Sequence, residues 1–403
     1  MRRKRILAGL LLAAMLAAVT VCGQAELRLN ETKKGGKVVR REWLDESGAL
    51  TNGPEGYAYV IRSFSGTTVT EKFYDAEGNP ATLAGGYAGQ MLTYGNRHRL
   101  EEIVYLDEKG KKTECGAGYA RLRLTYSGSG KVTSAGYFDA RNDSVTVPGL
   151  GYAAVRVEYR GSTMTKTTWL DASKKPRDLA AGYAVQIQSV NKSNKVTGIR
   201  FEHADGSAAA SPEGWASCRR ELDKKNREVS VKYYDLAGNL MPVGGSYAYE
   251  VKTWSGDQAY TLDRYDATGQ RVPAGDGYAS LKREYNKNDQ LIRETCLDAS
   301  GRVCEDATGV AVRSYGYDGE GRFSEVRYED ERGNAALNRM GCAGYTEKLD
   351  GDGFRISRVF FGTDGKPVNT ADGYSEIRFL YDGSRRIAKT EYYDVNGALI
   401  RAE

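Results

Sequence analysis

Residues 277–308 read GYASLKREYNKNDQLIRETCLDASGRVCEDAT, and most of the chain is a variation on them. The stretch holds a Gly-Tyr-Ala start, an alternating run to Tyr285, a polar break, a second run to Leu297 and a closing Asp298-x-x-Gly301. The Gly-Tyr-Ala slot begins at 56, 86, 118, 151, 182, 214, 246, 277, 309, 341 and 373, a period of about 32 residues. The closing Asp slot falls at 45, 75, 107, 139, 171, 203, 235, 266, 298, 330, 362 and 394, with His203 and Gly362 as its two departures. A fixed period of this size is the mark of a tandem array. The repeats run from about residue 37 to 397 of a 403-residue chain, leaving no room for a separate catalytic module.

One unit reads as a β-hairpin. Ala holds the second position after Gly in ten of eleven units, and Ser375 is the exception. The eighth position is large, as in Phe64, Tyr94, Tyr126, Trp254, Tyr285, Tyr317 and Tyr381. Even spacing puts these slots on one strand face, and a polar run such as SGSGK after Tyr126 supplies the turn. The second strand ends with apolar residues on both faces, as in Phe73-Tyr74 and Tyr105-Leu106. A sheet with one wet face does not need that, so the repeats are expected to curl, stack or offer an aromatic surface. Asp-x-x-Gly suits a type I turn with the Asp side chain bonding the backbone two residues on. Calcium is the competing reading of such loops, with Asp350-Gly-Asp352-Gly its nearest match, but a third acidic ligand and a distal Glu are lacking. No metal site and no cofactor is expected.

Forty-eight Gly against eight Pro, with 28 Tyr, suit short strands joined by turns. Residues 1–25 have a basic head, an apolar run from Ile6 to Val21 and small residues before Glu26, the form of a secretory signal. Cleavage after Ala25 is the first expectation; lipid attachment at Cys22 and an uncleaved anchor are the alternatives. The signal carries four of the 58 basic residues, so the remainder has 54 bases against 53 acids and no basic stripe for nucleic acid. Cys115, Cys218, Cys296, Cys304 and Cys342 occupy different slots. A Cys296–Cys304 pair is open after export, and the odd count leaves one thiol free or pairing between chains.

The turn Tyr317-Asp318-Gly319-Glu320-Gly321-Arg322, and more loosely Tyr381-Asp382-Gly383, resemble the Tyr-Asp repeat of the bacterial RHS/YD family. Tyr-Tyr-Asp-x-x-Gly at 233–238 and 392–397 also resembles the tyrosine-rich cell-wall-binding repeats of Gram-positive surface proteins, whose units are shorter. The resemblance lies in the turns and lacks the RHS C-terminal core. It implies an exported, β-rich bacterial surface repeat protein and identifies no ligand.

The aromatic slot after Gly is the candidate binding feature: Tyr57, Tyr87, Tyr119, Tyr152, Tyr183, Trp215, Tyr247, Tyr278 and Tyr374, interrupted by Val310 and Cys342. The alternation sets this row on the face opposite the Ala slots. It serves either as a platform on which sugar rings stack or as the core between repeats. Catalysis has little to stand on: His98 and His203 are the only histidines, over 100 residues apart, and no nucleophile elbow or His-Glu-x-x-His is present. The breaks Arg264, His203, Gly362 and Val310 do not cluster in the sequence.

The reading is an all-β, elongated array of about eleven two-stranded repeats, wound as a twisted solenoid or spiral sheet. Residues 1–25 are the signal, 26–36 a lead-in and 37–403 one repeat domain. The expected function is a non-catalytic binding or scaffold module, secreted or on the cell surface, engaging cell-wall glycan or another surface protein. It contacts the membrane only through the signal or a lipid anchor. A structural spacer or adhesin stalk is the first alternative, and a carbohydrate-active hydrolase the second.

Overall fold

The structure is a computed structural model and describes residues 27–383 and 385–403. The signal expected at 1–25, with Cys22, lies outside the described residues. The chain divides into two compact units, 27–156 with 170–175, and 157–169 with 176–403. The lead-in at 26–36, expected to precede the repeats, already carries a strand.

The first unit holds β1 (Arg28–Lys34), β2 (Lys37–Leu44), β3 (Tyr59–Ser65), β4 (Thr68–Tyr74), β5 (Gly89–Tyr94), β6 (Leu100–Leu106), β7 (Arg121–Tyr126), β8 (Val132–Phe138) and the start of β9 (Ala154–Arg160). The second holds the rest of β9, then β10 (Thr163–Leu170) up to Trp169, β11 (Val185–Val190), β12 (Val196–Glu202), β13 (Ala208–Ala209), β14 (Ser217–Leu222) and β15 (Glu228–Tyr234). It continues with β16 (Tyr249–Ser255), β17 (Gln258–Tyr265), β18 (Ser280–Tyr285), β19 (Leu291–Leu297), β20 (Val312–Tyr317) and β21 (Phe323–Glu329). The last strands are β22 (Gly344–Leu349), β23 (Arg355–Phe361), β24 (Glu376–Tyr381), β25 (Ile387–Tyr393) and β26 (Leu399–Ala402). Apart from a 3-10 turn at Asn96–His98, the described residues form no helix. The expected all-β array of hairpin repeats is what each unit contains.

Within a hairpin the antiparallel ladder is long, running from Ser280↔Leu297 to Tyr285↔Leu291. Between hairpins it is short, Arg293↔Ser314 to Thr295↔Val312. The strand ends diverge because the chain turns back on itself there. At Asp298 the Oδ1 accepts the N–H groups of Ser300 and Arg302 at 2.8 and 2.9 Å. The Gly301 N–H reaches the Asp298 carbonyl at 3.1 Å. Where the Asp slot is lost, Asp205 and Asp364 cap the same turns from two residues on, bonding the Ser207 and Lys366 N–H groups.

The segment after each turn then runs back along its own strand. Cys304 N–H donates to the Cys296 carbonyl at 3.0 Å, beside the Leu297↔Val303 bridge. Of the expected curling, stacking or open aromatic surface, this return segment is a chain that curls back onto its own strand end. Ala81 and Leu83 from it pack with Tyr57, Val60 and Phe73, and Gly53 sits so near the Trp43 ring that a Cβ there would come within 2.4 Å. Return segments also join their neighbours: Ala307 N–H donates to the Asp276 carbonyl, and Ala371 N–H to the Met340 carbonyl, both at 2.7 Å.

Each Ala slot is sealed between strands. Ala58 has no exposed surface; its N–H bonds the Tyr74 carbonyl and its carbonyl accepts the Trp43 N–H, both at 2.8 Å. Strict alternation places Tyr57 on the face opposite Val60, yet the two share one cluster. The reason is local: regular strand begins only at Tyr59, and Gly56, at φ 85°, turns the chain just before the ring.

Gly277 shows how tight that turn is. Its φ is 94°, and a Cβ would lie 2.8 Å from the Ala307 nitrogen. Gly277→Ala therefore combines left-handed strain with a backbone clash, and is expected to cost about 1–3 kcal/mol in urea unfolding. Gly351→Ala, with open space and no left-handed backbone, should change stability by less than about 0.5 kcal/mol.

Candidate functional site

The tyrosines singled out by the sequence lie in an interleaved column. In the first unit the rings after Gly alternate with strand-end aromatics of successive repeats. The ring centroids are 5.1 Å apart for Tyr57–Phe73, 6.2 Å for Phe73–Tyr87 and 4.5 Å for Tyr87–Tyr105. They are 5.7 Å apart for Tyr105–Tyr119, 4.9 Å for Tyr119–Tyr137 and 6.1 Å for Tyr137–Tyr152. The second unit repeats the scheme through Trp169, Tyr183, Phe201, Trp215, Tyr233 and Tyr247. Most of these contacts are tilted or edge-on, the geometry the ring quadrupole favours.

Burial follows from the stacking. Tyr57, Tyr119, Tyr152, Tyr247 and Tyr374 are 3 to 7 % exposed, and Tyr87, Tyr183, Trp215 and Tyr278 are half-buried. A sugar needs an open ring face, and the five buried rings present none. Of the nine, Tyr87 lines an open depression of about 200 Å³, with Thr82, Asp107, Glu108, Lys109 and Thr113. That is smaller than the roughly 300–1,000 Å³ of ordinary small-molecule sites.

Burial raises the phenol pKa of Tyr57, Tyr105 and Tyr137, in each case as the largest cause. Tyr278 is pushed up to about 12 by burial and then by the Asp276 charge, and Tyr328 to about 12 by burial and then by Tyr345.

The column changes chemistry from Arg264 onward. Arg264 takes the strand-end aromatic slot, and its guanidinium lies 5.5 Å from the Tyr247 ring centroid and 4.7 Å from that of Tyr278. Asp276 on the return segment grips it at 2.5 and 2.7 Å, and Glu250 approaches to 3.4 Å. Glu250 is Arg264's partner across the hairpin. Further along, Val310 replaces the ring, Asp306 holds the loop, and Arg313 pairs with Asp306. At Cys342, Asn338 Oδ1 accepts the N–H groups of Met340 and Cys342 at 2.9 and 3.3 Å. Two of the breaks thus share a feature the sequence hid: Arg264 and Val310 are slots of one packed face, whereas His203 and Gly362 sit in turns. Every polar group of the Arg264 cluster is engaged with another, an arrangement that holds structure and leaves no free acid or base.

The remaining candidates are occupied or apart. Asp350 Oδ1 accepts the Asp352 and Phe354 N–H groups at 3.0 and 2.8 Å, and Asp352 Oδ2 takes Arg385 at 2.8 Å. Among the described residues no three His, Cys, Asp or Glu side chains group to hold a metal. His98 sits in a hairpin tip of the first unit; His203 sits in an Asp-slot turn of the second, beside Asp178 at 2.9 Å. The five cysteines are free thiols; burial pushes Cys296 up to about 12, and burial with Asp298 pushes Cys304 to about 11.

One recurring contact escaped the sequence. In several units the eighth-position side chain donates to a backbone carbonyl of the preceding repeat. Tyr285 bonds the Ala259 carbonyl at 3.0 Å, Tyr317 the Leu291 carbonyl at 2.7 Å and Tyr381 the Arg355 carbonyl at 3.0 Å. Trp254 does the same to Glu228 at 3.0 Å. A β-bulge beside Tyr285, Tyr317 and Tyr381 shifts the ladder register at these places. The frequent choice of Tyr or Trp at this slot, an apolar body with a polar tip, was the available signal, although Phe64, Val190, Leu222 and Leu349 depart from it.

No protein-family model and no curated protein matches the chain. Among solved structures, the crystal structure of TcdB2-TccC3 without its hypervariable C-terminal region is similar over 88% of this chain and 19% of that one, at 11% identity and TM-score 0.29. The crystal structure of TcdB2-TccC3 is similar over 90% and 21%, at 10% identity and TM-score 0.26. The chain spans about a fifth of the length of those chains. Likeness at that level assigns no activity.

Two outcomes are expected from the column. Tyr119→Ala should destabilise the first unit by about 3–5 kcal/mol, as large-to-small changes among packed aromatics do, read by urea unfolding. The raised phenols also set an alkaline limit. The folded state keeps them neutral where unfolded tyrosine ionises, so their contribution is intact below about pH 10. It should fall as pH climbs towards 12, the folded value of Tyr278 and Tyr328. Melting temperature against pH, with phenolate absorbance recorded alongside, checks this; a flat profile between pH 9 and 12 would refute it.

Proposed function

We propose that the chain is a non-catalytic tandem-repeat scaffold of the bacterial cell envelope, exported and engaging a macromolecular partner along a repeated surface. The observation that supports this best is the fate of the aromatic row. Its rings are spent on packing one repeat against the next, which is what an array needs for stability. What remains for recognition is the pair of turn-bearing sheet edges and the polar strand faces, surfaces suited to polymers or proteins. The signal-like N-terminus and the turn-level resemblance to exported surface repeats support an exported location. The spacer reading differs only in giving those surfaces no partner.

Co-sedimentation of residues 26–403 with insoluble, peptidoglycan-containing cell walls tests the proposal. The protein is expected in the pellet, with no soluble reducing sugar released. Release of sugar would overturn the non-catalytic assignment. Protein left in the supernatant would remove wall binding and leave the spacer.

A further inference from the structure

The hairpin tips of the second unit form one continuous edge, and its charge is not evenly spread. Side chains stitch each tip to the next. Thr163 Oγ1 donates to the Asn194 carbonyl at 2.5 Å, Asn191 Nδ2 to Asn226 Oδ1 at 2.7 Å and Lys225 Nζ pairs with Asp257 at 3.1 Å. Gln258 then reaches the Asp289 carbonyl at 3.2 Å, Gln290 the Gly321 carbonyl at 2.6 Å and Arg322 the Asp350 carbonyl at 3.2 Å.

Along this edge the first three tips are basic. They present Arg160 at the end of β9, Lys192 and Lys195 between β11 and β12, and Lys224 between β14 and β15, all exposed. None of the four has a carboxylate partner among the described residues, whereas Lys225 and Arg227 beside them are paired. Beyond Asp257 the tips are mixed in sign: Lys287 sits beside Asp289, Arg322 beside Asp318 and Glu320, and Arg385 and Arg386 follow Asp350, Asp352 and Asp382. Those acids are largely matched by arginines of their own edge, as in Arg322 with Asp318 and Glu320, and Arg385 with Asp352. The near balance of 54 bases and 53 acids beyond residue 25 conceals this division.

We infer that the tips at Arg160, Lys192, Lys195 and Lys224 are a binding site for a linear polyanion. Successive tips are two strands apart, about 9.5 Å at ordinary strand spacing. A small anion reaches one tip, while a chain of phosphates or carboxylates spans all three, about 19 Å, and releases its counterions as it does so. Lysine suits this task, being a flexible point charge without the planar fork that selects a single bidentate group. Beyond Asp257 the tip arginines Arg322, Arg385 and Arg386 are each held by carboxylates of the same edge, which leaves Lys287 as an isolated exposed cation, so the run of unpaired bases ends there. The inference deepens the scaffold proposal by naming a surface and a ligand class, and it is tested in solution so that its failure is separate from failure to bind walls.

The probes are inorganic polyphosphate and poly-glutamate, with neutral dextran as control, titrated against residues 26–403 at rising salt. The variant K192E/K195E/K224E is compared with R302E/R332E/K366E, which makes the same charge change at the opposite, Asp-x-x-Gly edge, where all three residues are exposed. Both are checked for parental circular dichroism. The parent is expected to bind one or both polyanions and not dextran, with affinity falling as salt rises. The tip variant should bind about tenfold more weakly or worse and show a shallower salt slope, while the opposite-edge variant stays near the parent. Equal losses in the two variants would mean that net charge alone attracts the polymer, and would overturn the site. So would a parent that binds neither polyanion, including one that instead self-associates in a salt-sensitive way, which would assign the tips to contacts between copies.

Discussion

A two-stranded hairpin cannot bury a tyrosine by itself, and that inability governs each unit of this protein. Burying an aromatic side chain removes some 150–250 Å² from water, which at about 25 cal/mol per Å² is about 4–6 kcal/mol as an upper bound. A single neutral hydrogen bond contributes nearer 1 kcal/mol. The stacked rings therefore outweigh the tyrosine hydroxyl contacts between repeats, which fix spacing more than they add stability. Each ring is completed by the repeat before and after it, so stability is shared between neighbours and belongs to no single hairpin.

The departures from the pattern obey the same constraint. Where Arg264 enters the ring column, Glu250 opposite it and Asp276 on the return segment supply the counter-charge, and Tyr247 and Tyr278 lend their faces to the guanidinium. A buried charge without partners would cost far more than the lost ring. Val310 with Asp306 and Arg313, and Cys342 with Asn338, are further coordinated changes: the side chain shrinks and the loop beside it gains a polar anchor. Arg401 lies 4.1 Å from the Tyr392 ring centroid and continues the cation-on-ring theme in β26.

The hairpins, their turns and the sealed Ala slots were legible in the sequence because each rests on local chemistry: alternation, an Asp that caps its own turn, a Gly at positive φ. For strand ends with two apolar faces the sequence left curling, stacking and an open aromatic surface as alternatives, and the return segment that packs there could not be read. The return segment has no periodicity of its own, and Gly53, Leu83, Cys115 and Val147 share no chemical type that would mark one slot. Alternation misplaced the tyrosine row relative to Val60 because it counted residues through a glycine turn as though the strand had already begun. The pairing of Arg264 with Asp276 escaped for a related reason. Residues 12 apart face each other only once the return segment is laid beneath its strand.

The two ends of the strands are under different constraints, and this is where recognition has room to arise. At the Asp-x-x-Gly end the turn must lead into a return segment that covers a ring and hydrogen-bonds the neighbouring loop, so its chemistry is tied to the core. At the hairpin tip no return segment follows, and the turn lies outside the ring column. Turns as unlike as Gly35-Gly36, Asn191-Lys-Ser-Asn-Lys195 and Asp350-Gly-Asp-Gly-Phe354 all close the same two strands. Tip side chains that take no part in the bonds between neighbouring tips, such as Lys192 and Lys224, are thus free to vary in sign and size without loosening the array. A scaffold of this kind can change what it touches by changing its tips alone, leaving the ring column intact beneath them.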